Sequence, residues 1–444
     1  MELRKNSIRH YEAVMDECVT LEQSAEMIVP DSCPDIARIV DTAGLACLKD
    51  KTVFSDRLEL SGLCKAGILY MPEGEPGLRK MDLNIPFVRS FEGAMEATGM
   101  AVASVRVLSA EARLVNPRKV QAAVTLMIEV KMYAARVLEL TDDVLAGDGE
   151  KSMACEVLKS AENAWLLLAV QDKAVTVTEE LEVPSGRPPA EEILKADVRL
   201  AAGEMKAIGT KAVFKGMASV RLLCAAEGRP YTLEQDFPFS QIIEVEGADE
   251  ASSLEASLQL AGLEMDFLPG GESRKLSVTL YVDVTLMAYA DRRVETVSDL
   301  YGLGVRLRPE MTPLLLHAVG ERAVRRQNVR ESIEVGEDVA GIVDAAALFG
   351  PVTGVNGGMG CDVVIKAVYQ TEAGGYAQAV RAIRVPCPAE VTAACGVRAG
   401  LAGEVTATPM SGGLEVRFAV DFQVTQMLER PLLSVTGVIS EPED

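Results

Sequence analysis

The stretch RKVQAAVTLMIEVKMYA, residues Arg118–Ala134, decides the fold because apolar residues occupy every second position along it. The alternating positions are Val120, Ala122, Val124, Leu126, Ile128 and Val130. A sustained period of two with β-branched side chains is typical of a long strand that has one buried face. The sequence therefore predicts a long β-strand at this place.

Two further stretches repeat the pattern. One is RKLSVTLYVDVTLMAYA at Arg274–Ala290, and the other is GLEVRFAVDFQVTQM at Gly413–Met427. Each copy follows a turn sequence, as a hairpin requires; the three turns are Asn116-Pro117, Pro269-Gly270-Gly271 and Ser411-Gly412-Gly413. The length of 444 residues also suggests about three domains. We therefore predict three tandem, related antiparallel β-sandwich or barrel-like domains, at residues 1–160 with an N-terminal lead-in, 161–318 and, in degenerate form, 319–444.

A meander of two shorter strand patterns precedes each long stretch and ends at a proline. The prolines are Pro86, Pro238 and Pro386. Because proline has no N–H to donate to a ladder, it is confined to strand ends and to the edges of sheets. We expect each of these prolines to mark such a place, and we expect a turn at Glu73–Gly77 inside the first meander.

Short helices are predicted beside the strands. In the sequence IVPDSCPDIARIVDTAG, Ser32 and Asp35 have the spacing of a capping box, with Pro34 close to the first helical position. Apolar residues then follow at helical spacing as far as Gly44, where we expect the helix to end. These apolar residues are Ile36, Ile39 and Val40.

The same construction returns 154 residues later, where Pro184 takes the place of Pro30 and Ile193-Leu194 takes the place of Ile39-Val40. We expect further helix in the linking segments Lys151–Val170 and Arg308–Arg325, and a lead-in strand or short helix within residues 6–27. The predicted fold class is thus mainly β with short helices.

Composition narrows the classes of partner. A formal charge of −22 at pH 7 would repel a phosphate backbone, which disfavours nucleic acid as a partner.

The nine cysteines include no CxxC pair, and Cys64 and Cys224 lie inside apolar strand patterns, as is typical of reduced, buried thiols. The N-terminus lacks the apolar segment of a signal peptide, and no apolar run reaches the ~20 residues of a membrane helix. We expect a cytoplasmic chain without a transmembrane segment.

The sequence offers little to a catalytic mechanism. The histidines His10 and His317 stand in unrelated contexts, so a Ser-His-Asp, Cys-His or histidine–metal site has little support. Helix capping accounts for Asp35, and the first turn of a helix accounts for Glu191 and Glu192. The other clustered carboxylates are assigned to solvated loops: Asp31, Asp142, Asp143, Glu179 and Glu180. We predict no catalytic, cofactor-binding or metal-binding residue, and no enzymatic activity.

Two other motifs receive structural interpretations. Arg136 and Glu139 recur as Arg292 and Glu295, and a pair that recurs in two units is expected to form a structural salt bridge at a strand end. The glycine-rich segment Gly354–Gly360 has neither the Lys-Ser/Thr of a phosphate loop nor GxGxxG spacing, so it is predicted to be a flexible loop.

Several of these features together resemble the SPOCS domain, a family named for its association with the spore coat. They are VPDSCPDIARIV at Val29–Val40, the meander that ends in Ile85-Pro86-Phe87, the glycine that follows at Gly93, and the strand at Arg118–Ala134. The resemblance is closest in the first unit and weakest in the third. The family occurs, often in several copies, in proteins of spore-forming bacteria, and it implies no catalytic residue.

SipL-type coat-morphogenesis proteins of this family join a SPOCS region to a C-terminal LysM module and bind the coat ATPase called stage IV sporulation protein A. The segment Leu428–Asp444 is too short for a LysM module, so the specific partner stays open. The resemblance implies a non-enzymatic structural or scaffolding protein of the bacterial spore envelope. It would be made in the mother-cell cytoplasm and act at the forespore surface. There it would associate with coat or envelope morphogenetic proteins, or with copies of itself, through strand edges and strand ends.

Two alternatives stay open. A binding module for cell-wall glycan or another small ligand would need a cleft with exposed aromatic residues. Four tyrosines in predicted turns or loops are available for it: Tyr70, Tyr231, Tyr301 and Tyr376. A carboxylate-dependent hydrolase would need two carboxylates that face each other across a pocket.

Overall fold

The computed structural model describes residues 2–93, 99–145, 155–270, 273–302, 306–355, 358–391 and 394–441, and the regular elements within these ranges are all β-strands. The strands are β1 (Glu2–Ile28), β2 (Ile36–Val53), β3 (Arg57–Pro72), β4 (Arg79–Glu92), β5 (Met100–Asn116), β6 (Lys119–Leu145), β7 (Cys155–Glu182), β8 (Glu192–Ile208), β9 (Lys211–Ala226), β10 (Arg229–Glu244), β11 (Ser253–Phe267), β12 (Lys275–Gly302), β13 (Arg306–Glu334), β14 (Val339–Val355), β15 (Gly358–Thr371), β16 (Tyr376–Pro386), β17 (Cys395–Met410) and β18 (Gly413–Glu441). The described chain is all-β.

The order of the strands repeats three times. The meanders β2-β3-β4, β8-β9-β10 and β14-β15-β16 are antiparallel sheets of three strands. The remaining strands pair in the orders β1-β6-β5, β7-β12-β11 and β13-β18-β17, and the first two of these join through the pair of Tyr11 and Leu167. Strands β1–β6, β7–β12 and β13–β18 are named here the first, second and third repeat.

The long alternating stretches are strands β6, β12 and β18, as predicted. In β6 the side chains from Val120 to Val130 that alternate in the sequence are at most 1% exposed. Strand β12 buries its equivalent positions from Leu276 to Leu286 to the same extent. All three strands continue beyond the predicted stretches, to Leu145, Gly302 and Glu441.

The core of each repeat lies between its meander and its long-strand sheet. In the first repeat, Leu60 and Phe87 of the meander pack in one cluster with Val124 and Leu126 of β6. The other repeats have equivalent clusters, around Phe214, Leu222 and Val282 in the second and around Ile365, Val416 and Phe422 in the third. Each fully buried side chain of this size contributes roughly 1.5–3 kcal/mol, so the alternation of β6, β12 and β18 supplies much of the folding free energy.

The recurrent prolines lie where the sequence predicts. Pro86, Pro238 and Pro386 lie in β4, β10 and β16, which are the edge strands of the three meanders. The predicted turn at residues 73–77 joins β3 to β4, and Gly74 and Gly77 there have positive φ angles. The turns before β6 and β18 are also present, whereas Gly271 of the turn before β12 lies outside the described residues.

The predicted short helices are wrong. Residues Ile36–Val53 form strand β2, which runs through Gly44, and the second predicted helix is strand β8. The physical reason is a pair of β-bulges in β2, at Ile36/Arg38 and at Ile39/Asp41. Each bulge adds a residue to one strand of the pair and shifts the alternation of faces, so the apolar residues acquire a spacing that imitates a helix.

Other segments also prove more extended than predicted. Of the linking segments expected to contain helix, residues 155–170 belong to strand β7 and Arg308–Arg325 belongs to β13, while residues 151–154 lie outside the described ranges. The lead-in is the single long strand β1. In the glycine-rich segment Gly354–Gly360, described residues belong to the ends of β14 and β15, and residues 356–357 lie outside the described ranges. The nine cysteines are free thiols, and Cys64 and Cys224 are buried as their strand pattern predicts.

The outer halves of the longest strands form two-stranded ribbons. These distal ribbons are residues 2–13 with 134–145, 155–167 with 290–302, and 306–318 with 428–441. They pack on one another around apolar side chains contributed by every repeat, which include Val144, Val297, Leu300 and Val435. Across the described residues, no helix is long and apolar enough to cross a membrane.

Candidate functional site

The two histidines lie in different repeats and have different surroundings. His10 in β1 is 8% exposed, and its Nε2 lies 3.1 Å from Glu12 Oε1. His317 in β13 is exposed. In the described parts of the chain, no group of three or more His, Cys, Asp or Glu side chains has an arrangement that could hold a metal ion.

The carboxylates of the PDSCPD segment bind an arginine instead of capping a helix. Arg118 Nη1 donates to Asp35 Oδ1 at 2.7 Å, and Arg118 Nη2 donates to Asp31 Oδ1 at 3.1 Å. The same guanidinium donates to the backbone carbonyls of Val29 and Cys33. Arg118 therefore holds the loop between β1 and β2 against the start of β6, a role that the sequence pattern did not reveal.

The equivalent arginine of the second repeat acts in the same way. Arg274 Nη1 donates to the carbonyls of Arg187 and Pro184, in the loop between β7 and β8. Glu191 directly precedes β8 and Glu192 begins it, so neither lies in the first turn of a helix. Burial raises the pKa of Glu192, although Arg79 nearby acts in the opposite direction.

The acidic residues assigned to loops mostly lie in strands. Asp142 and Asp143 in β6 are both ion-paired with Arg4, and Asp142 also pairs with Lys159. Those contacts lower the pKa of Asp142, chiefly through hydrogen bonds from Lys159 and Arg4. Glu179 and Glu180 are exposed residues of β7.

The recurring Arg/Glu pairs also make ion pairs with other strands. Arg136 contacts Glu12 at 3.8 Å, and Arg292 contacts Asp249 at 2.8 Å. Among the glutamates, Glu139 contacts Lys5 at 3.0 Å and Glu295 contacts Lys159 at 3.6 Å. These contacts connect neighbouring strands and loops.

A buried group of charges occupies the place where the three repeats meet. It arises from a β-bulge that occurs at the same position in the first strand of every meander. The bulges lie at Ile39/Asp41 in β2, at Ile193/Lys195 in β8 and at Ile342/Asp344 in β14. We name Asp41, Lys195 and Asp344, with the basic residues Arg221 and Lys366 that bind them, the central charge cluster.

Each contact in the central charge cluster joins two repeats. Lys195 Nζ lies 2.6 Å from Asp344 Oδ2, and Arg221 also donates to Asp344. Lys366 Nζ lies 2.7 Å from Asp41 Oδ1. The third repeat is thereby bonded to both of the others.

The electrostatics of the cluster favour the charged forms. Burial acts to raise the pKa of Asp344, but the attraction of Lys195 and Arg221 outweighs it and lowers that pKa to about 2. Burial acts to lower the pKa of Lys195, but Asp344 and Asp41 outweigh it and hold the pKa above its ordinary value. Lys195 and Asp344 are thereby held as a charged pair, which suits a structural junction.

An apolar layer surrounds the charges. Its buried members come from equivalent positions of the three meanders, and they include Val40 and Leu194 together with Leu69, Leu223 and Val368. Low local polarity strengthens the ion pairs inside it and raises the cost of leaving one of them incomplete. The cluster therefore favours one relative placement of the repeats.

A cavity of about 380 Å³ opens beside the cluster, between the first and second repeats. Its lining includes four carboxylates, those of Asp41, Asp82, Glu264 and Asp266. Asp41 is bonded to Lys366, and Asp82 lies 2.7 Å from Lys80. Asp41 and Asp82 are thus held in ion pairs and Glu264 accepts a hydrogen bond from the Tyr281 hydroxyl, so these contacts do not favour the hydrolase alternative.

The tyrosines proposed for a glycan cleft lie in strands, contrary to prediction. Tyr70, Tyr231 and Tyr376 are at most 9% exposed, and only Tyr301 of the four presents its ring to solvent. A separate groove of about 680 Å³ contains the sole tryptophan, Trp165. Tyr289 stacks on that indole with ring centroids 5.6 Å apart, and Arg322 lies 4.7 Å from the ring centre. Stacking of a sugar on these aromatics is therefore poorly supported.

Sequence reasoning missed the central charge cluster, although a signal for it is present. A charged residue follows the aligned apolar pair in each unit: Asp41 after Ile39-Val40, Lys195 after Ile193-Leu194 and Asp344 after Ile342-Val343. A charged residue that recurs at the same place in three related strands, directly after two apolar residues, predicts a buried charge with an ion-pair partner. The partners Arg221 and Lys366 carry no signal in the linear sequence.

The fold and the cluster define an all-β protein in which repeated antiparallel sheets are joined by buried ion pairs. Residues 189–268 match a family model described as SipL, SPOCS domain. The matched residues include strands β8 to β11 of the second repeat, whereas the sequence resemblance is closest in the first. No curated protein and no solved structure matches the chain.

Proposed function

We propose that this protein is a non-enzymatic scaffold of the bacterial spore envelope, which acts in coat assembly or attachment through protein–protein contacts or self-association. The observation that carries the proposal is the match of residues 189–268 to the SPOCS domain of SipL. The scaffold would work at the forespore surface, on the cytoplasmic side of the mother cell. Its partners would be coat or envelope morphogenetic proteins, or further copies of the chain.

We further propose that each repeat is a β-sandwich domain, with boundaries between β6 and β7 and between β12 and β13, somewhat before residues 160 and 318 where the sequence predicts them. The separate core of each repeat supports this division. The ion pairs of the central charge cluster would then be contacts between domains, and they would fix the arrangement of the three. A rigid arrangement suits a scaffold, because binding surfaces on different domains keep a constant separation.

The distal ribbon of the third repeat supplies a surface for association. Leu315 and Leu433 are 57% and 49% exposed, although both are large apolar residues. Pro431 lies directly opposite Leu315, and Pro313 lies directly opposite Leu433, so the four side chains share one face of the β13–β18 ribbon. Exposed apolar patches of this kind often mark sites of protein contact.

The prolines of this ribbon favour contact through its face. Pro309 and Pro313 in the edge strand β13 have no N–H to offer to an added strand. A partner strand added to this edge would meet no backbone N–H donor at the two prolines. A partner that covers Leu315 and Leu433 would instead bury apolar surface. We therefore expect association through the ribbon face.

The test compares assembly of the wild-type chain with that of a Leu315→Lys/Leu433→Lys double variant, by sedimentation velocity and negative-stain microscopy. The matched control is Ile242→Lys/Val380→Lys, which changes two apolar residues of similar exposure in β10 and β16. The ribbon variant should lose assembly and the capture of coat components from sporulating cells, while the control keeps both. A wild-type chain that stays monomeric at high concentration and captures no coat component would contradict the proposal.

A further inference from the structure

We propose that the cavity between the first and second repeats binds a small amphipathic carboxylate, whose charged group contacts Lys65 and Lys195 and whose apolar part lies against the leucine-rich wall. The proposal is independent of the scaffold function, because it rests on a difference between this junction and the other two. The cavity has a volume of about 380 Å³, which is within the usual range for small-molecule sites.

The cavity exists where one repeat lacks a side chain that the others have. The register of the meanders makes Gly67 equivalent to Arg221 and Lys366, since these residues pair with Ala43, Asp197 and Ala346 respectively. Arg221 and Lys366 extend across their junctions to the next carboxylate. Gly67 has no side chain that could reach across its junction, and a Cβ built on it would meet no atom closer than 3.6 Å. The first junction is therefore left open.

The charge that faces the gap is also reversed. Arg221 reaches Asp344 and Lys366 reaches Asp41, but the residue at the same bulge position of the second repeat is Lys195. A carboxylate at the other junctions is thus replaced by an ammonium group at this one. The occupant that complements the open junction is an anion, which would be a second partner for Lys195 beside Asp344, whereas a cation placed there would face this ammonium group.

A second ammonium group is directed to the same cavity. Lys65 Nζ donates to the backbone carbonyl of Leu263 at 3.0 Å, across the junction between the repeats. The equivalent positions in the other repeats carry Ser219 and Val364, according to the strand register. The cation at position 65 is thus specific to the repeat that has the gap.

The remaining lining restricts the ligand to one with a single charge and an apolar body. Six large apolar residues line the cavity: Leu45, Leu69, Ile193, Leu194, Leu263 and Met265. Four carboxylates also line it: Asp41 and Asp82 are paired with Lys366 and Lys80, whereas Glu264 and Asp266 are exposed. These carboxylates would repel a polyanion such as a nucleotide, whereas a monocarboxylate can place its charge near the lysines and its apolar part against the leucines.

The probe is decanoate, whose binding is measured by titration calorimetry. The control ligand is decyltrimethylammonium, which has an alkyl chain of similar length and the opposite charge. Wild-type protein should bind decanoate at one site and should not bind the ammonium compound there. Gly67→Leu should abolish binding by filling the cavity. Lys65→Met should weaken it at least about tenfold, the usual effect of losing one contact to a charged group. Lys173→Met is the matched control, because Lys173 also donates to a backbone carbonyl, that of Ile242, away from the cavity.

The proposal is overturned if Lys65→Met binds decanoate as tightly as the Lys173→Met control, or if the ammonium compound binds as well as decanoate. Thermal unfolding of every variant shows whether it is folded. If Gly67→Leu does not fold, the comparison of the two lysine variants decides the question. Absence of decanoate binding to the wild-type chain would also overturn the proposal, without bearing on the scaffold function.

Discussion

Lys195 and Asp344 form an ion pair of 2.6 Å between the second and third repeats, although they occupy the same position in their respective meanders. The carboxylate of Asp344 is 4% exposed and is shared with Arg221. Desolvation offsets much of the attraction in a buried pair, so its net contribution to stability is modest while the loss of one partner is costly. The pair acts to select one arrangement of the repeats.

Asp344→Asn should therefore destabilise the protein by about 3–5 kcal/mol, because it leaves the charges of Lys195 and Arg221 without their shared carboxylate. The free energy of unfolding measured in urea checks this value. Asp362→Asn is the control within the same repeat, since Asp362 is 61% exposed and pairs with Arg384 at the surface. It should cost less than about 1 kcal/mol, and equal effects of the two substitutions would contradict the structural role assigned to Asp344.

The pH dependence of stability follows from the same carboxylate. The pKa of Asp344 is lowered from 3.8 to about 2 in the folded protein, so its contribution is fully present above pH 4 and is lost as the pH falls towards 2. The difference corresponds to about 2 kcal/mol. Between pH 5 and pH 2, the free energy of unfolding of the wild-type chain, measured in urea, should fall by about 2 kcal/mol more than that of Asp344→Asn. Parallel curves for the two proteins would show that another carboxylate causes the acid sensitivity.

A glycine under an aromatic ring gives a prediction for the core of the meander. A Cβ on Gly62 would lie 2.3 Å from the carbonyl oxygen of Cys47 and 2.4 Å from Phe87 Cζ, so Gly62→Ala should destabilise by roughly 1–3 kcal/mol through overpacking. Gly400→Ala in β17 is the control, because no atom lies within 4 Å of its Cβ and its φ is not positive. Thermal unfolding compares them, and an unchanged midpoint for Gly62→Ala would refute the packing argument.

The fold could be predicted from sequence wherever alternation determines it. Alternation of apolar residues is a local pattern, and it predicts strands β6, β12 and β18. The missing N–H of proline is also a local property, and it predicts the edge positions of Pro86 and Pro238. The helix expected after Pro34 was wrong because bulges disturb the period of β2. A bulge depends on the partner strand, which the local pattern does not include.

The candidate site could be predicted only in part. The charged positions Asp41, Lys195 and Asp344 repeat in the sequence, and their shared place in the meander is visible from it. That Arg221 reaches Asp344, more than 100 residues away, depends on how separate repeats pack. The gap at Gly67 has the same origin, because it becomes a cavity only when the second repeat lies opposite.

The distal ribbons are joined by buried hydroxyl groups, and removing one of them should loosen that end of the molecule. Thr296 is fully buried, accepts a hydrogen bond from the Thr141 backbone N–H at 3.2 Å and lies 2.7 Å from the Ser434 hydroxyl. Thr296→Val keeps the shape of the side chain but deprives the Thr141 N–H of this acceptor, which should cost about 1–3 kcal/mol. Hydrogen exchange of the Thr141 amide should become faster.

Thr279→Val is the matched control for that change, because Thr279 lies in the same strand and its hydroxyl contacts Thr178 at an exposed position. It should change the free energy of unfolding by less than about 0.5 kcal/mol and leave the Thr141 amide unaffected. The hydroxyl group of Thr296 contacts the first ribbon at Thr141 and the third at Ser434, so its effect should extend to all three repeats. If both variants exchange at the wild-type rate, the hydroxyl group of Thr296 does not hold the ribbons together.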